Sequence, residues 1–152
     1  MVQNRSSEDG SAQDLAARCA KAMWEEDRAS SGLGMEILHV APGVADLAMT
    51  VRGDMVNGHN ICHGGFIFTL ADSAFAYACN SYNQSTVAAS CEISFMKPGR
   101  LGDRLTAKAR EIYREGRNGV YDIEVTTQEG AVIALFRGKS RSIAGTIVEE
   151  SN

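Results

Sequence analysis

Apolar residues recur along this chain at two spacings, and the switch between them divides it into elements. Residues 12–27 carry Leu15, Ala16, Cys19, Met23 and Trp24 at helical spacing, with Ser11 placed to cap the first turn and Asp14 inside it. The spacing predicts an amphipathic helix lying against something larger. Ser30-Ser31-Gly32 ends that pattern, and a period of two takes over. Met35, Ile37 and His39 alternate with Glu36, Leu38 and Val40. Ala41-Pro42-Gly43 supplies a turn, after which Ala45, Leu47, Met49 and Val51 share one face of a second strand. From Gly64 to Asn80 the chain is apolar for several helical turns. Four further alternating runs follow. Val87, Ala89, Cys91, Ile93 and Phe95 face one way in the first, Leu105, Ala107 and Ala109 in the second, and Tyr121, Ile123 and Val125 in the third; AVIALFRGKS (131–140) is the fourth. The alternation blurs at Glu111-Ile112, which predicts a bulge.

The predicted order is helix, two strands, one long apolar helix, four strands. Hairpin connections imply an antiparallel sheet. The central helix is the only element long and apolar enough to cover one face of it. The expected architecture is α+β, a curved antiparallel sheet wrapped around a buried helix. Residues 1–11 are polar and expected to form a disordered tail, with a single domain over 12–148. With 44% hydrophobic and 22% charged side chains, the 152 residues can build an ordinary globular core. A net charge of −4 disfavours nucleic acid as partner but leaves room for a local basic rim. Cys19, Cys62, Cys79 and Cys91 form no CxxC pair and no zinc spacing, so no metal is expected. No apolar leader opens the sequence, and the longest apolar run is too short and broken to span a membrane. A reduced, cytoplasmic protein is expected.

Asp72 is the position that does not suit its surroundings, because an acid inside an apolar helix is costly unless paired or working. At about 100° per residue, Phe66, Ile67, Leu70, Ala71, Ala74, Tyr77 and Ala78 form the face for the sheet. Asp72 points roughly the other way, among Phe68, Thr69, Phe75, Ala76 and Cys79. That second face is also largely apolar and needs cover, for which a second subunit is the economical source. Asp72 is then either a working carboxylate or an exposed or hydrogen-bonded acid with no chemical role. His63 lies nine residues earlier, about 13 Å along one straight helix, so the two can meet at one substrate only from different subunits. Gly64-Gly65 sits where the helix begins. Free N–H groups there suit a developing oxyanion, while glycines also simply permit a tight entry. Asn57 can position a carbonyl or a water, and Asn57-Gly58 equally makes a turn. Cys62-His63 is a poor thiol–imidazole pair because adjacent side chains seldom face each other.

The run NGHNICHGGFIFTLADSAFAYACN (57–80) resembles the signature of the hotdog-fold acyl-CoA thioesterases, and within them those of phenylacetate degradation. VAASCEISFMKPGRLGDRLTAKA (87–109), GVYDIEV (119–125) and AVIALFRGKS extend the likeness. The resemblance implies a hotdog fold and an acyl-CoA substrate, (hydroxy)phenylacetyl-CoA or a related aryl ester. It implies that Asp72 acts as general base or nucleophile and that the Gly65 N–H polarises the thioester carbonyl. Asn57 and His63 would support the site from the facing subunit, and Ser73 would help orient water. Gly64 and Phe68 would border the substrate, with the pantetheine arm beside Val87, Ala88, Ala89 and Ser90. Arg100, Arg114, Arg117, Arg137, Lys139 and Arg141 are candidates for its phosphates. No cofactor is implied beyond the coenzyme A of the substrate itself. The implied assembly is a homodimer sharing its sites, paired into a homotetramer. A hotdog enoyl-CoA hydratase or dehydratase, or a non-catalytic acyl-CoA-binding module, are the alternatives.

Overall fold

A computed structural model describes residues 4–150. Helices α1 (Asn4–Glu26) and α2 (Arg28–Gly32) lead into strands β1 (Glu36–Ala41) and β2 (Val44–Thr50). A loop with one 3-10 turn then reaches helix α3 (Gly64–Cys79). Strands β3 (Thr86–Phe95), β4 (Arg104–Glu115), β5 (Asn118–Thr126) and β6 (Val132–Ser142) complete the order. The six strands form one antiparallel sheet in the order β1-β2-β4-β5-β6-β3. β1 and β3 are its edges.

The sheet wraps α3. Leu47 and Met49 of β2, Leu105, Ala107 and Ala109 of β4, Ile123 and Val125 of β5 and Phe136 of β6 are buried against Ile67, Leu70, Ala71, Ala74 and Ala78 of the helix. The alternation predicted for β2, β4 and β5 is therefore the inward face. The bulge expected near Ile112 is present, as a register shift between Glu111 and Tyr113. Next to α3, whose Tyr77 ring lies 6.4 Å from that of Trp24, α1 covers β1 through Ala16, Cys19 and Ala20, and Gln13 Nε2 donates to the Val40 carbonyl at 2.7 Å.

Two expectations are corrected here. The first helix begins at Asn4, not near Ala12, so residues 4–11 are helical where a disordered tail was expected; residues 1–3 lie outside the described residues. Extending a nucleated, packed helix gains one hydrogen bond per residue fixed, so a polar segment without proline prolongs it. In β3 the expected common face is broken by a second register shift between Ala88 and Ser90. Ala88 pairs with the buried Ser140, and Cys91 and Ile93 pair with the buried Gly138 and Phe136. Val87 pairs with the exposed Arg141 and so shares the opposite face. The extra residue at Ala89 flips the phase, because side chains alternate strictly with period two.

Phe75 shows how closely α3 approaches the sheet. Its ring is fully buried against Tyr121 and Phe136, with centroids 5.6 and 6.0 Å away. A Cβ at Gly138 would stand 2.7 Å from that ring, inside any tolerable contact. Gly138→Ala is therefore expected to cost about 1–3 kcal/mol of stability through overpacking. A thermal melt checks it, and an unchanged Tm would show that the ring moves aside freely.

Candidate active site

Asp72 sits two turns into α3 and is half-buried. Among the described residues no hydrogen bond reaches its carboxylate. Burial raises its pKa above the ordinary carboxylate value. With no positive charge or donor to offset desolvation, the carboxylate is more basic than a free one. The thiols of Cys79 and Cys91 lie near enough to feel its charge. Burial pushes Cys79 up to about 12 and Cys62 to about 11, so both stay thiols. Neither is poised as a nucleophile.

The N-terminus of α3 is open. His63 is its N-cap in extended backbone, with no side-chain cap. Its own N–H donates to the Met55 carbonyl at 2.8 Å, and its carbonyl accepts from Phe66 at 3.0 Å. The Gly64 and Gly65 N–H groups have no acceptor among the described residues, as expected for the first turn of a helix. Beside Gly65 the space is clear: a Cβ there would meet only His63 Nδ1, at 3.7 Å. Gly64 has a different reason to be glycine. The Phe95 ring lies over it, 2.9 Å from where a Cβ would stand. Phe95 itself stays half exposed beside the helix terminus.

The remaining candidates divide. Asn57 organises the loop before the helix: its Oδ1 accepts from the N–H groups of His59, at 2.9 Å, and Ile61, at 3.2 Å. The turn role is thus filled, and only the amide nitrogen is left to donate outward. Phe68 is half-buried, its ring edge-on to Phe136 at 5.2 Å. Phe75, expected beside Asp72 on the second face, is sealed into the core. Val87, Ala88, Ala89 and Ser90 are exposed along the open edge of β3. The hydroxyl of Ser73, the residue expected to orient water, is hydrogen-bonded at 2.8 Å to that of buried Ser30 in α2. That link joins residues 43 positions apart, and no local pattern could announce it.

Several of the basic candidates are already engaged. Arg137 is paired with Asp122 through Nε at 2.7 Å on the outer face of the sheet, and Arg117 Nε donates to the Ser142 carbonyl. The Arg114 guanidinium lies 3.5 Å over the Tyr82 ring. Among the described residues no group of three or more His, Cys, Asp or Glu is placed to hold a metal, and no helix is long and apolar enough to cross a membrane.

Within one chain the parts do not meet. Gly65 and Asp72 are seven residues apart on one helix, so about 10 Å separates them along its axis. What the chain offers is an open helix terminus at one end of α3, a basic and unpartnered acid further along it, and an open strand edge beside both. The thioesterase superfamily model matches residues 59–134, which hold all of α3 and most of the sheet. The chain belongs to the thioesterase superfamily.

Within this hotdog family, the acyl-coenzyme A thioesterase PaaI of Escherichia coli is 49% identical over 132 residues, covering 87% of this chain and 94% of that protein. The solved structure of the E. coli PaaI protein, from the phenylacetic acid degradation operon, superposes with a TM-score of 0.87 at 48% identity, over 88% of this chain and 97% of that one. A hypothetical thioesterase protein of Streptococcus pneumoniae solved with coenzyme A matches at 25% identity with a TM-score of 0.71, over 74% of this chain and 88% of that one. The expected fold, a long helix wrapped by an antiparallel sheet, is the one found.

Proposed function

We propose that this thioesterase hydrolyses acyl-CoA esters, of the arylacetyl class, at sites completed between two copies of the chain. The observation that carries the reading is Asp72: a half-buried carboxylate, made more basic by burial, with no protein donor among the described residues. A structural acid in that position would be paired. An acid that must accept a proton from a nucleophile is better left free.

In this reading the thioester carbonyl docks on the Gly65 N–H at the positive end of α3, with His63 beside it. Asp72 comes from the partner copy, because its own is about 10 Å away. Asp72 takes a proton from water as the water oxygen bonds to the carbonyl carbon. The tetrahedral oxyanion is held by the helix terminus. Its collapse breaks the carbon–sulfur bond, releasing carboxylic acid and CoA thiolate, which takes up a proton. The same acid can attack directly, with water then cleaving the resulting anhydride. The open edge of β3 supplies the pairing surface and the exposed Val87–Ser90 segment the wall for the pantetheine arm. Pairing two such edges makes a homodimer, and packing of two dimers a homotetramer.

The arylacetyl preference is supported by the relatedness to the E. coli protein of the phenylacetic acid degradation operon. A panel of phenylacetyl-, hydroxyphenylacetyl-, benzoyl- and straight-chain acyl-CoA esters, read by thiol release, tests it, with an enoyl-CoA followed for loss of the double bond. The expected result is thiol release, fastest with the arylacetyl esters, and no hydration. Hydration without thiol release would overturn the reaction; equal rates across the panel would overturn the substrate class.

A further inference from the structure

Helix α3 carries its acid on one side and two polar ties on the side next to it. Ser73 is hydrogen-bonded to Ser30 at 2.8 Å. One turn further on, the Tyr77 hydroxyl donates to Asp27 Oδ2 at 3.0 Å. Residues 73 and 77 stand one above the other on the helix. Both partners belong to α2: Asp27 is its N-cap, its Oδ1 accepting from the Ser30 N–H at 3.0 Å, and Ser30 is buried inside it. One short helix thus grips α3 at two points, and the first is the residue adjacent to Asp72. Apart from the C-cap, where Asn80 Nδ2 donates to the Thr86 carbonyl at 3.0 Å and Asn80 Oδ1 accepts from the Thr86 N–H at 2.9 Å, the contact between α3 and the sheet is apolar and without direction, so the body of the helix resists separation better than roll or slide. Hydrogen bonds are directional and fix both.

We infer that α2 is a positioning clamp for the catalytic helix, with Ser30 and Ser73 as positioning residues that set the aim of Asp72. This rests on the reading of Asp72 as the reacting acid. Neither serine touches the reacting atoms; both act through the roll of α3. A shift of about 1 Å at a reacting group can cost up to about 10²-fold in rate, so the effect belongs in kcat.

Ser73→Ala and Ser30→Ala are each expected to lower kcat about tenfold with KM unchanged. The double variant should be no slower than the worse single one, since both remove the same bond. Ser73→Thr, which keeps the hydroxyl, should recover most of the rate. Ser81→Ala is the control, because Ser81 is a buried hydroxyl beyond the far end of α3, tied to the Gly43 N–H at 2.8 Å and remote from Asp72. It should lower Tm and leave kcat alone. The clamp is overturned if either alanine variant keeps the parent kcat, if the two losses multiply, or if Ser81→Ala slows the enzyme as much. Asp72→Asn run alongside separates the two ideas. If it is dead while Ser73→Ala and Ser30→Ala run at the parent rate, the clamp alone fails; if Asp72→Asn is active, the reading beneath it fails.

Discussion

Asp72→Asn is expected to lower kcat by about 10³-fold or more while raising the melting temperature at neutral pH. Both effects come from one physical fact. The carboxylate is half-buried and no donor among the described residues compensates it, so its folded-state pKa is raised by desolvation. Between the ordinary carboxylate value, about 3.9, and the raised one, the folded chain holds a proton that the unfolded chain has lost. Stability therefore falls as pH rises through that window. The cost is absent below the unfolded pKa and complete above the folded one. An uncharged amide removes it, so the gain in Tm of the Asn variant should be present at pH 7 and vanish in acid. The same shift sets the rate profile. A base must be ionised, so the acid limb of kcat/KM should fall at a pH above the ordinary carboxylate value. A variant that keeps the parent rate would remove Asp72 from the chemistry. An acid limb at or below the ordinary value would show that burial does not govern it.

The parts of this fold written in local alternation were legible beforehand. Leu105, Ala107 and Ala109 face inward because nothing interrupts their spacing, and the bulge at Ile112 announced itself where apolar and polar residues fell out of phase. The bulge at Ala89 did not, because Val87, Ala88 and Ala89 are all small or apolar and any phase fits them. The helical wheel put Phe75 beside Asp72, yet the residue is buried. The reason lies on another strand: Gly138 has no side chain, and the aromatic ring fills the space. The need for glycine at position 64 has the same kind of cause, since the Phe95 ring, thirty-odd residues on, lies where a side chain would stand. Asn57 offered two readings, and its hydrogen bonds to His59 and Ile61, which show the turn, were not written in its spacing. The acid itself was legible because charge in an apolar run is conspicuous. Its ties to α2 were not, because Ser30 and Ser73 are ordinary residues until the fold brings them together.

Two inactive variants should restore activity to each other. Gly65→Pro deletes the N–H proposed to hold the carbonyl oxygen, at a first-turn position where a helix tolerates proline. Loss of one such donor is expected to cost about 10²–10³ in kcat. Asp72→Asn leaves that terminus intact and removes the base. If each site takes Gly65 from one copy and Asp72 from the other, a mixed dimer has one site with both groups and one with neither. Random assortment makes about half the dimers mixed, so refolding the two variants together should recover about a quarter of the parent activity. If both groups came from the same chain, every site in the mixture would lack one of them and nothing would be recovered. The axial distance of about 10 Å between residues 65 and 72 argues for the first outcome, since no single thioester carbon can lie within reach of both. The readout does not depend on which acyl group is used. It also isolates the pairing: variants that recover no activity together, but still assemble, would place both groups of a site on one chain.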